Sequence, residues 1–152
     1  MPLRSTTSNL IYGRILLVDG NAAGLAARKT VLEEQGHKVW VATGVTDAFD
    51  QFSSHKFDIV VTDHKMPRMD GLGLIKKIHA LSADTPVVLL SGFVDALGLN
   101  EQSTGAAAVI QKSANEVPHL VRAVARILKR KPAKKGVAKE TGKARAKRVI
   151  GA

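Results

Sequence analysis

Short apolar runs alternate along the chain with longer segments in which apolar residues recur every three or four positions. Most of the runs are continuous rather than alternating, which is typical of strands covered on both faces of a sheet. We therefore predict five strands from these runs. They are Ile15-Leu16-Leu17-Val18, Val39-Trp40-Val41, Ile59-Val60-Val61, Val87-Val88-Leu89-Leu90 and Val109-Ile110.

The segments between the runs predict helices. Asn21 is suited to cap the first helix, and Gly36 is suited to end it. A fourth helix is predicted across Phe93 to Thr104 despite Gly98 in its interior. Strands that alternate with helices imply a parallel sheet with right-handed crossovers and helices on both faces, a doubly wound α/β fold of three layers. The predicted apolar stripes are Ala22, Leu25, Ala26 and Leu32; Leu74, Ile75, Ile78 and Leu81; and Val117, Leu120, Val121, Val124, Ile127 and Leu128.

Composition agrees with one folded domain. The chain has 152 residues, of which 45% are hydrophobic, enough to bury a core. It has no cysteine, which excludes disulfides, thiolate metal sites and cysteine nucleophiles. No apolar run approaches the ~20 residues that span a bilayer, and the first residues lack the pattern of a signal peptide. We expect a cytoplasmic protein with no membrane partner.

The net charge of +10 is concentrated near the C-terminus. Between Lys129 and Arg148 there are ten Lys and Arg and one acid, Glu140, whereas the remainder has 13 basic and 12 acidic residues. The segment lacks aromatic residues and contains Pro132, so we predict a disordered tail over residues 132–152. Residues 1–13 are then an N-terminal extension and 14–131 the domain. Such a tail either contacts nucleic acid or another polyanion without sequence specificity, or only aids solubility.

Polar residues follow four of the five apolar runs. Asp19 follows the first, Asp63 the third, Ser91 the fourth and Lys112 the fifth, after Gln111. Each alone is an ordinary turn or surface residue, but in a parallel sheet all four lie at the edge where ligands bind. A carboxylate can attack a phosphoryl group if nearby cations and donors offset the repulsion. We predict Asp63 as the nucleophile, Asp19 as a metal ligand, and Lys112 and Ser91 as contacts of the phosphoryl oxygens.

Four segments carry a family resemblance: "ILLVDGN", "VVTDHKMPRMDGL", "VVLLSG" and "GAAAVIQK". From Arg14 to about Lys129 the chain resembles a receiver domain of bacterial two-component response regulators. The resemblance implies a flavodoxin-like sheet of order 2-1-3-4-5 with five helices. It also implies that Asp63 is the phosphoacceptor, that Asp19, Asp63 and the backbone carbonyl of Lys65 bind Mg²⁺, that Ser91 is a switch hydroxyl, and that Lys112 assists.

The same resemblance implies a single-domain response regulator that is not an enzyme. Its implied partners are a histidine kinase or phosphotransfer protein, which supplies the phosphoryl group, and an unknown downstream protein. "LLVDGN" also resembles the nucleophile loop of haloacid-dehalogenase-like phosphatases, but that family requires an Asp where Asn21 stands.

Three residues depart from the receiver pattern. Gly20 stands where the family has a second acid, so we expect weak Mg²⁺ binding. Val109 replaces the usual aromatic residue, and Ser113 replaces a proline that follows the lysine in a cis bond, so a trans peptide is expected. These departures support an alternative, a binding module in which phosphorylation is weak or lost. His64, which follows Asp63, is positioned to affect access to it.

Overall fold

The computed structural model describes residues 12–66 and 70–137, with side chains described as far as residue 130. Five parallel strands form one sheet of order β2-β1-β3-β4-β5, so the predicted fold class and strand order are confirmed. The strands are β1 Arg14–Val18, β2 Lys38–Ala42, β3 Ile59–Asp63, β4 Val87–Ser91 and β5 Ala108–Gln111. The helices are α1 Ala22–Glu34, α2 Val45–Ser54, α3 Gly71–Leu81, α4 Val94–Leu97, α5 Glu101–Thr104 and α6 Glu116–Val137.

Side chains of the central strands alternate between two apolar layers. In β1, Ile15 and Leu17 pack in the layer that contains buried residues of α1 and α6. Leu16 and Val18 pack on the opposite face, with buried residues of α2 and α3. Every residue of β3 and β4 is buried, which explains why these strands appear in the sequence as continuous apolar runs.

Helix α1 begins and ends as predicted, but its buried stripe differs. The Asn21 side chain accepts a hydrogen bond from the Gly24 amide, and Gly36 follows the helix with φ 103°. Ala22 and Ala26 are exposed, because the helix turns Leu25, Arg28 and Leu32 toward the sheet instead. A charged side chain therefore occupies the middle of the buried face. In α3, the predicted stripe residue Leu81 is likewise 57% exposed.

The segment between β4 and β5 forms two short helices, so residues 12–66 and 70–137 contain six helices rather than the predicted five. Gly98 ends α4 in the left-handed conformation with φ 64°, and Gly105 ends α5 with φ 81°. A single continuous helix cannot pass through a left-handed residue, and glycine adopts that conformation without a steric penalty.

Helix α6 extends six residues past the predicted domain boundary at Lys131 and passes through Pro132. Lys, Arg and Ala favour helix, and a packed helix extends without a new nucleation step. The rest of the predicted tail, residues 138–152, and nearly all of the N-terminal extension, residues 1–11, lie outside the described residues. None of the described helices combines the length with the hydrophobicity that a membrane span requires.

His37 makes stability depend on pH. The residue is 7% exposed, and its Nδ1 accepts a hydrogen bond of 3.0 Å from the Gly13 amide. Burial lowers the pKa of His37, so the unfolded chain takes up a proton at higher pH than the folded protein. We expect the His37 contribution to be complete above about pH 6.5. It should be lost as the pH falls from there through the folded-state pKa.

Chemical denaturation between pH 5 and pH 8 measures this effect as a free energy of unfolding. The His37→Gln variant should lose part of the pH dependence of the wild type, because its amide oxygen can still accept a hydrogen bond but does not titrate. His119→Gln changes an exposed ring and is the matched control. Identical pH profiles for wild type and His37→Gln would rule out this role.

Candidate functional site

The predicted site residues lie together at the carboxyl edge of the sheet. In the parallel register, Val18 is opposite Thr62, Asp63 is opposite Leu90, and Ser91 is opposite Gln111. Asp19 and Asp63 therefore occupy the ends of neighbouring strands, which are separated by about 4.8 Å in a sheet. The prediction that residues following the strands lie at one edge of the sheet is therefore confirmed.

Asp63 is the last residue of β3 and is 7% exposed. Its Oδ1 accepts hydrogen bonds from the His64 amide at 2.9 Å and from the Lys112 ammonium at 2.7 Å. Both of these contacts use the same oxygen. The carboxylate is thus held in one orientation by groups on a single side, and Oδ2 is the oxygen that these contacts leave for reaction.

The end of β5 positions Lys112 over the neighbouring strands. Its amide donates to the Ser91 carbonyl at 2.8 Å, which continues the strand pairing and directs the side chain toward Asp63. No cis peptide bond occurs in the described part of the chain, so the bond from Lys112 to Ser113 is trans as expected. The ammonium nevertheless contacts the carboxylate. The proline departure at Ser113 therefore does not prevent that contact.

Ser91 is held by a histidine. Its hydroxyl oxygen accepts a hydrogen bond from the Phe93 amide and lies 2.9 Å from Nδ1 of His64. Both side chains are buried, with 1% exposure for Ser91 and 4% for His64. His64 thus contacts the predicted switch hydroxyl directly, and it links the strand that carries Asp63 to the strand that carries Ser91. Val109, in the position of the usual aromatic residue, packs against the apolar layer that contains α2 and α3.

A close backbone approach follows Asp63. The Gly71 amide donates to the His64 carbonyl at 2.8 Å, and a Cβ atom at Gly71 would lie 2.4 Å from the Asp63 carbonyl oxygen. Asp70 caps α3 by accepting a hydrogen bond from the Gly73 amide at 3.1 Å. Residues 67–69 lie outside the described residues. The ammonium of Lys65 lies 5.4 Å from the centre of the Phe93 ring, and the proposed role of its carbonyl stays a prediction.

Asp19 contacts a cation, Arg28, that the strand-end pattern of the sequence does not indicate. Its Oδ1 accepts from the Asn21 amide at 2.8 Å, and its Oδ2 accepts from Nη1 of Arg28 at 2.5 Å. Nε of the same guanidinium donates to Oε2 of Glu116 at 2.5 Å. Burial alone lowers the pKa of Arg28, but the hydrogen bonds and negative charges of Glu116 and Asp19 more than offset this and raise it. Arg28 therefore stays charged.

The sequence does contain one sign of this cluster. Leu25, Arg28 and Leu32 have the spacing of one helical face, so the arginine lies within an apolar stripe. Nothing local in the sequence identifies Glu116 as its partner, because the two residues are 88 positions apart.

The side chains at this edge do not fit a bound Mg²⁺ ion in the arrangement observed. Both oxygens of Asp19 are already hydrogen-bonded, Gly20 has no side chain, and one oxygen of Asp63 binds Lys112. Mg²⁺ requires several oxygen ligands in near-octahedral geometry. Among residues 12–66 and 70–130, no three His, Asp or Glu side chains are grouped so that they could hold one metal ion.

Comparison with known proteins agrees with the fold. The family model described as response regulator receiver domain matches residues 15–125. The sensory/regulatory protein RpfC of Xanthomonas campestris is 34% identical over 105 residues, which is 65% of this chain. The match spans only 14% of RpfC, so it concerns one segment of a much longer protein.

Solved structures of receiver domains superpose on most of the chain. A response regulator receiver domain from Clostridium thermocellum is 26% identical, with a TM-score of 0.73, over 80% of this chain and 98% of that one. Response regulator TrrA of Thermotoga maritima, solved in complex with Mg²⁺-BeF, is 27% identical with a TM-score of 0.67. That match covers 75% of this chain and 97% of TrrA.

Proposed function

Because the chain belongs to the response regulator receiver domain family, a signalling module of two-component systems, we propose that Asp63 accepts a phosphoryl group. The donor would be the phosphohistidine of a histidine kinase or a phosphotransfer protein. The observation that carries this proposal is the 2.7 Å contact of Lys112 with one oxygen of a buried strand-end carboxylate. That contact provides a cation at the place where the phosphoryl charge would arrive.

The transfer needs an in-line displacement at phosphorus. Oδ2 of Asp63 forms the new P–O bond while the P–N bond of the donor breaks, and the leaving imidazole keeps the electron pair and takes up a proton. Lys112 offsets charge on the phosphoryl oxygens. The Ser91 hydroxyl lies 2.9 Å from Nδ1 of His64. Any movement of this hydroxyl toward the phosphoryl oxygens would lengthen that contact, so His64 favours the position that the hydroxyl has in this structure.

Labelling with a small acyl phosphate tests the proposal. The intact mass should increase by one phosphoryl group, and peptide mapping after trapping of the acyl phosphate should place the label on Asp63. Asp63→Asn is isosteric and cannot form the acyl phosphate, so its label should be absent. Label on any other residue, or equal labelling of Asp63→Asn, would contradict the assignment.

A second function, binding without phosphorylation, is favoured by one specific observation. Arg28 forms a buried ion pair with Asp19, and Gly20 has no carboxylate where the receiver pattern has a second acid. A receiver domain in which an arginine already pairs with the acid at the end of β1 would present a fixed surface to a protein partner. The same labelling experiment separates the two functions, because a pure binding module stays unlabelled with every donor.

The proposed partners beyond the kinase are a downstream protein and, for the basic segment Lys129–Arg148, a polyanion such as nucleic acid. The segment carries ten basic residues and one acid. It contains no aromatic residue on which bases could stack. Any such contact would therefore be electrostatic, independent of base sequence and weakened by salt.

A further inference from the structure

Three elements converge on a buried ionic cluster, defined by Asp19 at the end of β1, Arg28 in α1 and Glu116 at the start of α6. All three residues are less than a tenth exposed. Arg28 donates to one carboxylate through Nη1 and to the other through Nε, each at 2.5 Å. A buried charge is tolerated only when it is paired and hydrogen-bonded. The cluster satisfies that condition for Arg28.

The ion pair with Arg28 limits the ability of the Asp19 carboxylate to bind a metal ion. Its Oδ1 is bound to the Asn21 amide and its Oδ2 to the guanidinium. A divalent ion at Asp19 would compete with Arg28 for Oδ2, and it would also meet the repulsion of a positive charge in a medium of low dielectric. Both effects disfavour a metal beside this carboxylate.

Helix α1 leaves room for the guanidinium. Gly24 lies one helical turn before Arg28, and a Cβ atom there would be 3.1 Å from Nη1 of Arg28 and 3.4 Å from Oδ2 of Asp19. Glycine inside a helix is less favourable than alanine. At position 24, glycine avoids a close contact between a Cβ atom and the Arg28–Asp19 ion pair. The sequence of α1 is therefore compatible with a buried guanidinium at position 28.

We propose that Arg28 is the resident cation of the ionic cluster and occupies the place of a divalent ion beside Asp19. The protein then binds Mg²⁺ weakly at this edge of the sheet, and Asp63 accepts a phosphoryl group with little dependence on Mg²⁺. The second part rests on the proposed function, whereas the first concerns metal binding alone and can be tested without any phosphoryl transfer.

The test compares Mg²⁺ affinity of full-length variants by isothermal titration calorimetry. The double variant Arg28→Met/Glu116→Gln removes one positive and one negative charge, so the net charge of the ionic cluster is unchanged. Oδ2 of Asp19 loses its contact with the guanidinium. We expect it to bind Mg²⁺ about tenfold more tightly than the wild type, or better, because ligand availability sets affinity at such sites. Glu116→Gln alone keeps Arg28 on Asp19 and should bind no more tightly than the wild type.

Equal affinities of wild type and double variant would overturn the inference, as would an equal gain in Glu116→Gln alone. Circular dichroism checks that each variant is folded. If the double variant is not folded, the Mg²⁺ affinity of the wild type is the test. A Kd of about 1 mM or tighter contradicts a resident cation, and a weaker one supports it.

The labelling rate of Asp63 in the wild type tests the second part of the proposal, that phosphorylation depends little on Mg²⁺. Rates with Mg²⁺ and with EDTA should differ by less than about tenfold, since the arginine remains in place in both. A larger dependence on Mg²⁺ would refute this part. Absence of label under both conditions would count against the proposed function, and the calorimetric result would still decide the metal binding.

Discussion

Lys112→Ala should lower the rate at which Asp63 is phosphorylated by a small acyl phosphate by about a hundredfold or more. The ammonium lies 2.7 Å from Oδ1 of Asp63. Removing one positioned donor from a charge-developing site commonly costs a factor of about 10² to 10³. The measurement is the initial rate of label incorporation at fixed donor concentration, with the amount of folded protein matched by circular dichroism.

Two further variants make this result specific. Lys112→Arg keeps the positive charge but places it on a larger, planar group, so its rate should lie between those of the wild type and the alanine variant. Lys29→Ala removes a half-buried lysine whose 3.1 Å contact is with Glu33 in the same helix, and its rate should equal that of the wild type. A Lys112→Ala protein that reacts at the wild-type rate would exclude the lysine from the transfer.

Gly71→Ala should destabilise the fold by about 2 to 3 kcal/mol, the upper part of the range of about 1 to 3 kcal/mol for inserting a methyl group into a packed site. The new Cβ would lie 2.4 Å from the Asp63 carbonyl oxygen and 3.0 Å from a Leu89 methyl carbon. The nearest atom belongs to the backbone, so the end of β3 must move, and Asp63 should move with it. Urea denaturation measures the stability loss, and the labelling rate should fall in the same variant.

Gly92→Ala is the matched control, because among the described residues, apart from Gly92 and its two chain neighbours, no heavy atom lies within 4 Å of the position its Cβ would occupy. Its stability should stay within about 0.5 kcal/mol of the wild type, as for other unstrained surface substitutions. If Gly71→Ala is as stable as Gly92→Ala, the close approach of Gly71 to the Asp63 carbonyl does not contribute to the free energy of unfolding.

Much of the architecture can be predicted from the sequence, since strand burial and helix periodicity are local properties of the pattern. Continuous apolar runs such as Ile59-Val60-Val61 predict strands buried on both faces, and parallel pairing brings the polar residues after them to one edge. The same reasoning placed Asp63 and Lys112 together correctly. It predicted one helix where Gly98 divides the segment into two, because periodicity does not reveal a left-handed residue.

The sequence by itself determined the doubly wound sheet and the edge at which Asp19, Asp63, Ser91 and Lys112 gather. Only the tertiary structure decided how these residues are paired. The bond between His64 and Ser91 joins positions 27 apart, and that between Arg28 and Glu116 joins positions 88 apart. A charged side chain in an isolated helix can always remain in water. Whether it is buried depends on which carboxylates other elements bring within hydrogen-bonding distance, and the folded packing settles this.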